Sequence, residues 1–278
     1  MLRRADACII MGKNVLIKIE YDGTDFRGWQ IQPAVRTVQG EIEHVLKYIA
    51  GEDVHIHGTS RTDAGVHALG QCATFEWNSN MPVEKLPEVM NRRFGAGGEG
   101  RSGAPGDIRI ISAEVMPDDF HARYSCTGKT YRYVIDKTGD IFLRNRAFQY
   151  PGASELDTDA MRRAAAYIVG THDFKCFETA GGTPRETTVR TVSRLDITED
   201  DRSIVIEITG DGFLYNMVRI ITGTLVEAGA GKRTPESVRA AIESLDRANA
   251  GFTAPPQGLY LKEIYFEQTQ ETNCTKSE

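Results

Sequence analysis

Val15, Ile17 and Ile19 alternate with Leu16, Lys18 and Glu20 near the start of the chain, and Ile204, Ile206 and Ile208 recur at every second position far downstream. Side chains of a strand point to its two faces in turn, so this period predicts strands with one face in a core. Between the two stretches the period changes. Val38, Ile42, Val45, Leu46 and Ile49 fall on one helical face, with Thr37 placed to cap the helix start. A chain that repeatedly switches between these periods must build a sheet and lay helices against it.

The same reading extends along the sequence. It predicts a short strand at Val54–His57, a loop at Gly58–Gly70, a strand at Gln71–Trp77, a helix at Val83–Phe94 and a strand at Ile108–Met116. The second half predicts a strand at Lys129–Asp136, a helix at Asp157–Gly170 capped by Asp157, and paired strands at Val189–Ile197 and Ser203–Gly210. Helices at Phe213–Ala228 and Pro235–Asp246 and a strand at Leu259–Phe266 complete it. Strands and helices in irregular order indicate an α+β fold with largely antiparallel sheets. The expected organisation is two related α/β domains, 13–116 and 117–267, between an N-terminal extension, 1–12, and a polar tail, 268–278.

The 278 residues are ample for two such units, and no run of eighteen apolar residues suggests a membrane span. Residues 1–10 carry two arginines but lack the apolar core of a signal peptide. Five cysteines, scattered and without a C-x-x-C spacing, read as reduced thiols of a cytoplasmic protein. His55 and His57 share a face at strand spacing, but no carboxylate or cysteine cluster accompanies them, so no metal site is expected. Gly95, Gly97 and Gly100 spell G-x-G-x-x-G. A helix precedes them where a dinucleotide site needs a strand, so Gly95–Gly106 reads as a glycine-rich surface loop.

The formal charge of −6 argues against a polyanionic partner only globally, because the field at a cleft is set by nearby charges. Between Phe120 and Gln149 six basic residues (Arg123, Lys129, Arg132, Lys137, Arg144, Arg146) face two acidic ones, Asp136 and Asp140. That asymmetry permits an RNA-binding face and does not by itself establish one.

Chemistry concentrates in Arg61-Thr62-Asp63-Ala64-Gly65-Val66-His67-Ala68, where small residues flank a carboxylate and an arginine. Taken alone, the segment is equally a tight turn with a local Asp–backbone hydrogen bond. It resembles, however, the signature loop of the tRNA pseudouridine synthase A family. Other segments resemble the same family in the expected order: Tyr21-Asp22-Gly23-Thr24, Gly28-Trp29-Gln30, Pro117 to Arg123, Lys129 to Tyr133, Phe213 to Gly223 and Gly258 to Leu261. Together they span roughly residues 15 to 266. Ser60 departs from the glycine common in relatives, a change expected to leave the chemistry untouched, and Gly95–Gly106 is longer than the usual loop.

The resemblance implies a pseudouridine synthase fold, a homodimer, no cofactor, and isomerisation of uridines 38–40 in the tRNA anticodon stem-loop. Uridine becomes pseudouridine when the C1′–N1 bond breaks, the uracil turns, and C5 joins C1′, with no redox change. Asp63 then corresponds to the catalytic nucleophile and Arg219 to its ion-pair partner, which opposes the effect of desolvation on the carboxylate. Arg61 corresponds to the arginine that holds the flipped-out arrangement, and Tyr131 to the tyrosine stacked on the uracil. Arg123, Lys129, Arg144 and Arg146 are the candidates for backbone phosphates. Two rivals are a non-catalytic tRNA-binding protein on this fold and a glycoside hydrolase, which would release free uracil.

Overall fold

The computed structural model describes residues 12–95, 106–181 and 186–267. Strand β1 (Lys13–Tyr21) buries Val15, Ile17 and Ile19 completely, as their alternation requires. Helix α1 (Val38–Ala50) follows. Thr37 Oγ1 accepts the Gly40 N–H, a cap worth about 1 kcal/mol, and Gly51 ends the helix in the left-handed region. Val54–His57, expected as a strand, contributes only its last residue to the two-residue β2 (His57–Gly58).

The larger departure is β3 (His67–Trp77), which begins four residues inside the expected loop. It is buried on both faces for most of its length, and a strand covered on both sides loses the clean alternation that marks its start. Helix α2 (Leu86–Phe94), after a short 3₁₀ turn at Val83–Lys85, and strand β4 (Ile108–Val115) close the first half. Residues 96–105 of the expected glycine-rich loop lie outside the described residues, as do 1–11 and the tail from 268.

In the second half come β5 (Cys126–Asp136), β6 (Phe148–Gln149), α3 (Thr158–Ala165), β7 (Gly170–Asp173), β8 (Val189–Glu199) and β9 (Ser203–Gly210). They are followed by α4 (Met217–Gly229), α5 (Ser237–Ser244) and β10 (Leu259–Phe266). Asp157 caps α3 as expected, accepting the Ala160 N–H at 2.8 Å, but the helix ends at Ala165 and Gly170 opens a strand instead. Helix α4 starts at Met217 rather than Phe213, because Asn216 takes a left-handed conformation (φ 61°) that a helix interior does not admit.

Among the described residues the ten strands join one sheet, ordered β4-β1-β3-β10-β5-β9-β8-β7, with β2 on β3 and β6 on β5. The pairings are antiparallel except β10 with β3 and β5 with β6, a largely antiparallel α+β architecture. The β3–β10 seam is short, pairing only Tyr260 with His67 and Leu261 with Ala68. There the first-half strands meet those of the second half.

The segment between β1 and α1 is a cradle for the loop that leads into this seam. Trp29 N–H donates to the Thr62 carbonyl at 3.0 Å, Gly65 N–H donates to the Phe26 carbonyl at 3.4 Å, and the Tyr21 and Thr62 hydroxyls lie 2.7 Å apart. Gly28 (φ 94°) lies so close to the loop that an added Cβ would sit 2.6 Å from the Thr62 carbonyl oxygen. Gly28→Ala combines a disfavoured φ with that clash. It should lower stability by about 1–3 kcal/mol in urea unfolding. Wild-type stability for this variant would mean the cradle yields freely.

Candidate active site

The loop into β3 makes a tight turn. Val66 N–H donates to the Asp63 carbonyl at 3.2 Å, and Gly65 holds the positive φ (77°) that the third turn position needs. The turn therefore uses the backbone of Asp63 and leaves its side chain for another partner. Asp63 Oδ2 lies 3.5 Å from Arg219 Nη1, which projects from the first turn of α4. The segment is thus a backbone turn, without the local side-chain hydrogen bond expected of Asp63, and its carboxylate pairs with an arginine from the other half of the chain.

Each member of the pair is held independently. Arg219 Nε donates to the Ala254 carbonyl and Nη1 to Asn216 Oδ1, both at 2.7 Å. Asn216 Nδ2 in turn donates to Thr179 Oγ1 at 3.2 Å. The arginine side chain is 16% exposed and the aspartate 37%, so the cation is sheltered while the carboxylate faces the opening. Burial raises the pKa of Asp63, and Arg219 opposes that rise without cancelling it.

The carboxylate opens into a cleft of about 620 Å³, which also takes in Arg61, Tyr131, Arg123 and Lys129. Arg61 is exposed at its edge. Tyr131, on β5, is 8% exposed and packs its ring edge-on against Phe213, with centroids 5.2 Å apart. Burial pushes its hydroxyl up to about 12, so it is a neutral phenol at physiological pH. Ser60, expected to stand apart from the chemistry, has its Oγ 3.1 Å from the Tyr131 hydroxyl and so ties the loop to this ring.

Arg144 and Arg146 do not line the cleft. Arg146 bonds Asp22 through Nε and Nη2 at 3.1 and 2.9 Å, and Arg144 donates to the Ile141 carbonyl. Arg132 pairs with Glu207 and Lys137 with Glu199, so Arg132, Lys137 and Arg146 are each neutralised within the fold. His55 pairs with Glu43 at 3.2 Å, and among the described residues no three His, Cys, Asp or Glu side chains are grouped to hold a metal ion.

Sequence reasoning missed Asn216, which sets the arginine, and Phe213, which backs Tyr131. The rule that asparagine favours a helix start would have moved the start of α4 to Asn216 and drawn attention to it.

A folded-state pKa above the ordinary carboxyl value means that ionised Asp63 disfavours the fold. The penalty is complete above the raised pKa and vanishes below the ordinary carboxyl range. Asp63→Asn, with Arg219 still bound to Ala254 and Asn216, should therefore melt higher than the parent at pH 7–8. That advantage should fade below about pH 4. Thermal unfolding of both proteins across this range checks the sign, and a variant less stable at pH 8 would contradict it.

A family profile described as tRNA pseudouridine synthase matches residues 17–125 and 164–267. The chain is 46% identical over 256 residues to a protein of Caldicellulosiruptor bescii named tRNA pseudouridine synthase A, covering 91% of this chain and all of that one. A protein of Acetivibrio thermocellus with the same name is 44% identical over 256 residues, again across 91% of this chain and its own full length. One of Clostridium tetani, named tRNA pseudouridine synthase A 2, is 42% identical over 258 residues, covering 92% of this chain and all of its own.

Proposed function

The chain belongs to the tRNA pseudouridine synthase family and is an isomerase of uridine in tRNA, and from that premise we propose that Asp63 is its nucleophile and the anticodon stem-loop, positions 38–40, its target. The observation that carries the assignment is the Asp63–Arg219 pair in a cleft that also holds Tyr131 and Arg61. In this reading residues 13–116 contribute the nucleophile and 117–267 the tyrosine and the counter-charge. The enzyme acts as a homodimer in the cytoplasm, without a cofactor. No helix among the described residues is long and apolar enough to cross a membrane.

A stacked uridine cannot reach a recessed carboxylate, so the nucleotide is extruded into the cleft. Arg61, exposed at the edge, occupies the space it leaves or holds its phosphate. The uracil lies on Tyr131, whose position is fixed by Phe213 and Ser60. Asp63 acts on the substrate as the C1′–N1 bond breaks. The bonding pair stays on N1, the uracil turns while held against the tyrosine, C5 bonds to C1′, and the proton lost from C5 is matched by one gained at N1. Atoms and electrons balance without an external reactant.

Mapping pseudouridine in unmodified tRNA treated with purified protein tests the target. Conversion at positions 38–40 with no free uracil is expected. Asp63→Asn should bind tRNA within a few-fold of the parent and form no pseudouridine. Near-normal turnover by the variant would remove Asp63 from the chemistry, and modification confined to other positions would refute the anticodon assignment.

Affinity should come from phosphates near the cleft, where Arg123 and Lys129 lie. Replacing both with alanine should make the dependence of log affinity on log salt shallower, by about 0.7–0.9 for each phosphate no longer neutralised. Replacing Arg146, whose guanidinium is engaged by Asp22, should change that slope less. The reverse order in binding titrations over a salt series would put the RNA backbone on the other side of the sheet junction.

A further inference from the structure

Three rings stand in a row across β2 and the turn 117–125, and the proposed reaction does not use them. His57 is the cross-strand partner of Thr74, and Ala122 N–H donates to Thr74 Oγ1 at 3.3 Å. One threonine thus brings β2 and the turn 117–125 to the same place. The His57 and His121 ring centroids lie 5.3 Å apart, and the Tyr124 ring lies 4.5 Å from His121.

The turn beneath the rings is firmly anchored. Asn14 Nδ2 donates to the Pro117 and Phe120 carbonyls at 2.8 and 2.7 Å, and Phe120 packs edge-on against Phe266. His121 N–H donates to Ser125 Oγ, and His121 Nδ1 accepts the Arg123 N–H at 3.1 Å, which fixes the ring orientation. Burial, with His57 and Arg123 beside it, lowers the pKa of His121 and favours a neutral, stackable imidazole. Tyr124, at the end of the row, is 80% exposed.

We propose that the His57–His121–Tyr124 row is a stacking ledge for the nucleobase adjacent to the target uridine. The proposal rests on the reading of the cleft as the tRNA site. Arg123 and Cys126 both line the cleft, and Tyr124 lies between them in sequence. When one nucleotide enters the cleft, its neighbour loses a stacking partner and exposes a face. An aromatic surface receives such a face whatever the base, and the adjacent Arg123 supplies charge for the intervening phosphate. Because the central His121 ring is held in place by the Arg123 N–H, less conformational freedom is lost there on binding.

The test uses full-length protein and an RNA carrying the uridine that mapping finds to be modified, so it does not depend on where that uridine lies. 2-Aminopurine is placed in turn on the 5′ and 3′ sides of that uridine. The parent protein should quench one of the two on binding. Tyr124→Ala should abolish the quench and weaken binding about tenfold, with an unchanged salt slope because the tyrosine neutralises no phosphate. Tyr124→Phe and Tyr124→Trp should retain both quench and affinity. Since Tyr124 is largely exposed, thermal unfolding should match the parent. Quenching and affinity unaltered in Tyr124→Ala would overturn the ledge even if the tRNA is modified normally. A shallower salt slope in that variant would reassign the residue to the RNA backbone and overturn it as well.

Discussion

A carboxylate that faces an open cleft, yet is drawn out of water by its walls, is the constraint on which the rest of this structure turns. Asp63 comes from the loop before β3 and Arg219 from the start of α4, so the ion pair joins the two halves of the chain. Desolvation dominates the titration of Asp63, and Arg219 offsets it only in part. A stronger pair would hold the carboxylate more firmly ionised but also occupy more of its lone pairs. The 3.5 Å separation, with the arginine committed to Ala254 and Asn216, sets Asp63 in the arginine's field without closing it off.

Such a pair has meaning only if both backbones stay in place. On one side, Trp29, Phe26 and Tyr21 bond the loop, and Gly28 admits the close approach this needs. On the other, the β3–β10 seam is reinforced by a network around His67. Its Nδ1 meets Gly23 N–H at 3.0 Å, its Nε2 lies 2.9 Å from the Asn145 carbonyl, and its ring stacks on Tyr260. Arg146 bonds Asp22 and offers its own carbonyl to the Tyr260 hydroxyl. Residues of both halves thus meet around one buried histidine, and a seam of two residue pairs is held by side chains as much as by its ladder.

Local signals carried much of this fold. The alternation in β1 and β9, the bounds of β10 and the capping roles of Thr37 and Asp157 were legible because each depends on neighbours in sequence. The start of β3 was not, because burial on both faces erases period two. The start of α4 was misplaced because Phe213 and Leu214 are apolar for reasons of the cleft rather than of a helix. Four predicted site residues, Asp63, Arg61, Tyr131 and Arg219, meet in one cleft, and it was resemblance that marked them. Composition alone would have left an aspartate in a turn. The approach of Ser60 to Tyr131 joins positions far apart in the chain, which no local pattern encodes.

The charge window shows why a sum over sequence misjudges a binding surface. Arg132, Lys137 and Arg146 contribute to the count but face carboxylates of the same chain. Their fields are largely cancelled at a distance beyond the pair. At the cleft itself Arg61, Arg123 and Lys129 are gathered, on a protein whose formal charge is −6. Repulsion from the remaining surface grows as more of the RNA is covered, so extending a phosphate-reading face would bring diminishing return. Stacking has no such limit, because it does not depend on the net charge of the protein and is little screened by salt. An acidic enzyme for a polyanion is therefore best served by few cations and by rings around them, and in the proposed reading Arg123, Tyr131 and the His57–His121–Tyr124 row supply both.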